Sequence, residues 1–491
     1  MSIPAELQKE ADRIAEIARG FGLDFYHTIF ELVSYEELNQ VASYGGFPIR
    51  YPHWRFGMEY EKLEKGHVYG LSKIYELVIN NDPCYAYLMD TNALVDQKLV
   101  MAHVYGHADF FKNNLYFSKT NRRMMDQMAN HGDRIRRYID RHGLERVETF
   151  LDGALSIENL IDPHWVVADR RRPARVEEDE ESMPSVRKIP SKEYMDSFVN
   201  PEEFMELQRR KLAEEQQRRR RFPERPERDV LAFLMEYAPI ERWQRDILGI
   251  VREEGYYFAP QGMTKIMNEG WASYWHSRIL TEKVLDDSEI VDYADHAAAV
   301  FSMPPGSFNP YKIGVELWRD IERRWDRGQF GPEFEECDDL EARASWDTGA
   351  GLGQEKIFEV RKLHNDITFI DTFLTADFCN RNQLFVSTYN ERTKRYEISD
   401  RDFSKIKAQL LWHLTNSGQP IIAVENGNFE NRGELLLLHD HQGVDLDLAY
   451  AEGTLRNIQR VWGRPVNIGT VVGGKPKILT HDGESFQDRD E

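Results

Sequence analysis

Two histidines, His103 and His107, stand four residues apart in the segment QKLVMAHVYGHADFFKNN at 97–114. The apolar periodicity of 91–112 predicts a helix, which puts both imidazoles on one face, one turn apart, where they can share a metal ion. A pair of buried structural histidines fits the same spacing. A third group comes from KIMNEGWASYWHSRI at 265–279, where Glu269 and His276 lie two turns apart on roughly one face of a second predicted helix. A carboxylate and an imidazole among Trp271, Tyr274 and Trp275 are costly to bury alone, so both are expected to find partners. For Glu269, capping a helix start or pairing with an arginine would also serve. RDILGIVREEGYYF adds Glu253 and Glu254 beside aromatic residues, and only one of the two can face a site.

These side chains need helices to position them. Within residues 1–165, the segments 3–20, 34–42, Tyr69 to Ile79, 91–112, 119–141 and 144–155 carry helical apolar spacing. Residues 166–228 are rich in charge and proline and read as a linker or surface excursion; the runs Glu177 to Glu181 and Arg218 to Arg221 read as solvated faces. Helical patterning resumes at Asp229, so 1–165 and 229–336 are expected to form one mainly helical domain that brings the two motif helices together. From Cys337 onward the texture changes to ITFID, QLFVSTY, RYEISD, PIIAVEN, ELLLLHD and PVNIGTVV, with helices at 401–416 and 449–461. Residues 337–491 are therefore expected to be a smaller α+β C-terminal domain.

Composition narrows the function. The 63 basic and 84 acidic residues give a net charge of −21, which argues against a chain-wide nucleic-acid or anionic-membrane surface. Cys84, Cys337 and Cys379 are far apart and form no CxxC pair, so neither a disulfide framework nor a thiolate zinc site is expected. The N-terminal segment reads as a charged amphipathic helix without a signal-peptide core, and no apolar run approaches the roughly 20 residues that span a bilayer. A cytoplasmic location without membrane insertion is the expectation. No GxxxxGK[ST] loop, GxGxxG turn or GxSxG elbow supports nucleotide binding or serine hydrolysis. His439 and His441 flank Asp440 after an apolar strand but lack a third ligand.

Taken together, HVYGHADFFKNN, WQRDILGIVREEGYYFAPQGMTKIMNEGW, NEGWASYWH and RVWGRPVNIGTVV resemble the SpoVR (stage V sporulation protein R) family, over nearly the whole chain. The resemblance implies a bacterial protein linked to spore cortex formation, with relatives in non-sporulating bacteria that point to cell-envelope or stress physiology. It also implies a PrkA-type serine kinase and a von Willebrand-type protein as partners. A second resemblance is to zincin metallopeptidases, in which H-E-x-x-H on one helix and E-G-W-x-x-Y on a later one build a zinc site. His103-Val104-Tyr105-Gly106-His107 and Glu269-Gly270-Trp271-Ala272-Ser273-Tyr274 match those phrases. This implies a zincin-like helical core with zinc on His103, His107 and Glu269.

Val104 occupies the place of the zincin glutamate, and valine cannot take a proton from water. Glu254, Glu59 or Asp109 could replace that acid, His276 could act as the base, or the site could bind metal without hydrolysis; Asp109 points roughly 200° around the helix from His107 and suits orienting a neighbouring group better than reaching the metal. Three readings follow: a zinc-dependent hydrolase acting on a peptide or peptidoglycan-related amide; a regulatory or scaffold protein working with the kinase and holding a structural metal or none; and an iron or dimetal centre on Glu254, Glu269, His103, His107 and His276.

Overall fold

The computed structural model describes residues 3–68, 76–165, 201–219, 222–304 and 307–490. The chain forms two compact units, each assembled from two stretches: Met1–Leu144 with Tyr256–Gly418, and Glu145–Gly255 with Gln419–Glu491. These bounds differ from the expected ones at 165, 229 and 337. Most of the expected linker at 166–200 lies outside the described residues, and 202–219 is a helix.

The first unit carries the motif helices. Its three-stranded sheet has the order β1-β3-β2, with β1 (Thr28–Val33) parallel and β2 (Leu77–Ile79) antiparallel to β3 (Cys84–Met89). The stretch from Tyr69 to Ile79 was expected to be helical; 69–75 lie outside the described residues, and Leu77–Ile79 is strand. Val78 pairs with Ala86 there, so a short apolar run that could suit either element is decided by a neighbouring strand. The histidine helix, Leu94–Asn113, is buried continuously from Val100 to Phe111, and the glutamate helix, Lys265–Ile279, is nearly as enclosed. Such helices are interior elements without a solvent face.

Three helices meet here at backbone distance. A Cβ on Gly106 would lie 2.6 Å from Cα of Ala272, and one on Gly270 would lie 2.5 Å from Cα of Gly314 in the helix Pro310–Asp326. Side chains would hold these axes apart, so the glycines set the spacing. Asp109 then ties the helices laterally. Fully buried, it accepts hydrogen bonds from Arg361 Nη1 through both oxygens, from Trp271 Nε1 at 2.8 Å and from the Asp24 amide at 2.7 Å. Asp366 caps the glutamate helix by accepting from the amides of Ile266 and Met267.

Residues 353–373, expected in the C-terminal domain, pack into this same core through Ile357, Val360, Phe369, Ile370 and Phe373. ITFID, expected to be a strand, lies in the helix Asp366–Phe373. A capping box between Asn365 and Thr368 starts it, and Phe369, Ile370 and Phe373 form its buried face. Local capping and helical burial here outweigh the β-propensity of the run. The hairpin β4 (Val386–Asn390) and β5 (Arg395–Asp400) completes the strands of this unit.

In the second unit, five strands take the order β10-β9-β8-β7-β6. They are β6 (Ile421–Phe429), β7 (Glu434–Asp440), β8 (Val466–Val472), β9 (Lys475–His481) and β10 (Phe486–Asp490). Only β7 and β8 run parallel, joined through the helix Leu448–Trp462, as a parallel connection requires. The architecture is thus a mainly helical N-terminal region followed by a C-terminal sheet with a helix, as expected in outline; β9 and β10 were not anticipated. Residues 145–255 join this sheet because Glu227 bridges Val424 and Phe233 stacks on Trp462. Among the described residues no helix is long and apolar enough to cross a membrane.

Gly270→Ala should destabilise the fold by about 1–3 kcal/mol or more, because its methyl must displace a backbone. Gly453→Ala, at a helical position with open space, should be neutral or stabilising by up to about 1 kcal/mol. Urea denaturation of both variants checks this; an unchanged midpoint for Gly270→Ala would mean that the helices are not held by this contact.

Candidate metal centre

The histidine and glutamate helices pack antiparallel in a fixed register. Asn268, Ala272 and His276, spaced four residues apart, form one stripe along the glutamate helix. Asn268 Oδ1 meets His107 Nδ1 at 2.9 Å, Ala272 abuts Gly106, and His276 Nδ1 meets His103 Nδ1 at 2.7 Å. Both imidazoles are thereby gripped at Nδ1, leaving both Nε2 atoms directed elsewhere. Glu269 follows Asn268 and so turns about 100° away from that stripe. Its Oε2 lies 3.6 Å from His103 Nε2 and 3.4 Å from His107 Nε2.

A fourth group arrives from the sheet. Glu76 immediately precedes β2, whose pairing with β3 anchors it, and its Oε1 lies 3.0 Å from His103 Nε2 and 3.9 Å from His107 Nε2. One ligand atom from each of Glu76, His103, His107 and Glu269 falls within 4.8 Å of all the others. Donors bound tetrahedrally at 2.0–2.2 Å stand ~3.4 Å apart, so the separations suit a single first-row ion. The polar contacts are also unfinished. His103 Nε2 and Glu269 Oε2 are buried without a hydrogen bond, although each has an oppositely charged neighbour within 3.6 Å. Converging buried donors of this kind are ones that a shared cation would satisfy.

The side chains of His103 and His107 are 4% and 5% exposed, whereas those of Glu76 and Glu269 retain 21% and 18%. The cluster is therefore closed on its histidine side and reachable on its carboxylate side. Burial alone would neutralise these groups, but mutual attraction overrides it. Burial lowers His107, yet Glu269 and Glu76 hold it up at about 10, and His103 is raised against burial chiefly by Glu76. Burial raises both carboxylates, yet the imidazoles pull Glu269 down to about 2 and Glu76 well below the usual range. Two carboxylates held ionised thus face two imidazoles that are both pulled toward their charged forms, and two protons there would balance the charge. A divalent cation carries the same charge as those two protons, so exchange leaves the buried site neutral.

His276 does not enter the four-atom cluster; it stands behind His103, and burial, followed by the charge on His103, keeps it well below the usual imidazole range. Glu254 is buried in the second unit, on the helix Arg242–Met263, and is not one of the four. Glu59 pairs with Lys62 on the surface, and Asp109 is committed to Arg361. Val104 is fully buried among apolar residues. His439 contacts Thr470 and His441 contacts Asp445, with no metal-binding group around them among the described residues.

Sequence reasoning missed Glu76, Asn268 and Tyr311. The expected helix over 69–79 hid Glu76, whose position depends on a strand pairing. Asn268 was legible as the residue four before Ala272 and eight before His276. Burial, then the charges of the nearby Glu269 and Glu76, push the Tyr311 hydroxyl far up.

No solved structure matches the chain. It is 32% identical over 488 residues to the uncharacterized protein YcgB of Escherichia coli (strain K12), an alignment covering 92% of this chain and 89% of that protein. The family profile described as SpoVR like protein matches residues 2–419, and that of the SpoVR-like C-terminal domain matches 420–473. Their junction, between 419 and 420, lies one residue past the Gly418–Gln419 boundary between the two units, and the second match ends just past β8. With both motif helices inside the first match and β6 to β8 inside the second, the chain belongs to the SpoVR family.

Proposed function

We propose that this chain is a metal-dependent hydrolase in which His103, His107 and Glu269 hold one divalent cation, with zinc as the expected metal. The convergence of buried, incompletely hydrogen-bonded donors on one point carries this reading. A two-histidine, one-carboxylate set also suits ferrous iron, so metal analysis decides between them. A bound divalent cation would polarise a carbonyl and acidify water. Glu76 supplies the acid that Val104 does not: its partly exposed carboxylate can hold the proton a nucleophilic water must lose. Tyr311, kept protonated, can donate to a developing oxyanion from the Glu269 side. The zincin-like core and an amide substrate of peptide or peptidoglycan type rest on the resemblance of motifs and on the family's link to spore cortex.

A second reading is favoured by one observation, the close approach of Glu76 to His103. With Glu76 as a fourth ligand the site is closed, and the protein is a regulatory or scaffold protein with a structural metal, working beside a PrkA-type kinase. Glu76→Gln separates the two. The hydrolase keeps its metal and loses turnover on amide substrates; the closed site loses metal affinity by more than tenfold.

Metal analysis of the purified chain should find one equivalent. His103→Ala and His107→Ala should each remove it, and Glu269→Gln should weaken it less, since an amide oxygen still donates. Full metal content in both alanine variants would refute the site. Binding should also release protons. His107 is held at about 10 and His103 is raised above its ordinary value, so at pH 7 the metal-free cluster keeps the His107 proton, which the cation must displace. Affinity should then fall as pH drops and rise toward about 10, the value at which His107 loses its proton unaided. Calorimetry in buffers of different ionisation enthalpy should return at least about one proton per cation at pH 7, the one His107 holds; release of none would contradict the charge exchange.

A further inference from the structure

We infer that Asn268 and His276 are positioning residues that fix the tautomers of His107 and His103, so that both rings present Nε2 to one point; this rests on the metal reading above. An imidazole that ligates through Nε2 keeps its proton on Nδ1, and that proton needs an acceptor. For His107 the acceptor is Asn268 Oδ1 at 2.9 Å. For His103 it is His276 Nδ1 at 2.7 Å, a contact that holds a single proton between two ring nitrogens. A neutral His103 that offers Nε2 to the cluster carries its one proton on Nδ1, in the contact with His276. His276 therefore accepts at Nδ1 and carries its own proton on Nε2.

Register makes the arrangement possible. The two acceptors lie eight residues apart on one helix, the two histidines four apart on the other, and the Gly106–Ala272 contact falls between them. The same helix also provides Glu269. One rigid element thus supplies a ligand and both tautomer-setting acceptors, and a slip of its register would misdirect all three.

The test uses the full chain with cobalt(II) alone as probe, read by visible absorption and by competition with a chelator. Asn268→Leu and His276→Leu should each weaken cobalt binding 10–100-fold, the usual cost of losing such a partner. Asn268→Asp, with a stronger acceptor of nearly equal size, should bind at least as tightly as wild type, and His276→Gln should recover most of the loss. A purely packing role predicts no such rescue. Imidazole nitrogen NMR of the wild-type chain loaded with zinc should show Nδ1–H on both His103 and His107, which decides the matter even if a leucine variant fails to fold. Protons on Nε2 of both rings, or leucine variants that bind as wild type does, would overturn the inference. A wild-type chain that takes up neither ion would instead overturn the metal reading itself.

Discussion

Everything around the candidate centre depends on how closely three helix backbones can approach. At Gly106 against Ala272, and at Gly270 against Gly314, no Cβ fits. These contacts set the distance at which a four-residue spacing of histidines meets a four-residue stripe on the facing helix. Asp109 then clamps the lateral position through Trp271 and Arg361, and Asp366 secures the start of the glutamate helix. The glycines inside both motifs are therefore positional, and they explain why phrases such as HVYGH and NEGW carry small residues beside reactive ones.

The charge arrangement follows from that packing. Two carboxylates and two imidazoles are brought into a region from which water is largely excluded, where unpaired charge is costly. The cluster can balance itself with two protons or with one divalent cation. A divalent cation would therefore enter the cluster without changing its net charge. The groups perturb one another so strongly because each is buried chiefly against opposite charge.

Much of the site was legible in the sequence, and the reasons for the rest are specific. His103, His107 and Glu269 were visible because helical spacing is local, and the prediction that distant helices meet needed only their shared character. Glu76 was not visible, because a strand pairing across the sheet delivers it and three strand residues give too weak a periodic signal. His276 was recognised as a buried imidazole in need of a partner. Whether it would stand in the cluster or behind it depended on the direction of helix packing, which one sequence does not reveal. ITFID misled because β-branched content outweighed an Asn365–Thr368 capping box in the reading. The division into units differed because the Glu227–Val424 bridge and the Phe233–Trp462 stack are long-range contacts with no local signature.

Four side chains meet at one point in space, and metal-edge X-ray absorption on the purified chain addresses that point directly. One bound divalent ion with two imidazole nitrogens and carboxylate oxygen at about 2.0–2.2 Å and no sulfur is expected. A chain without stoichiometric metal, or one whose ion lacks imidazole in its shell, would contradict that expectation.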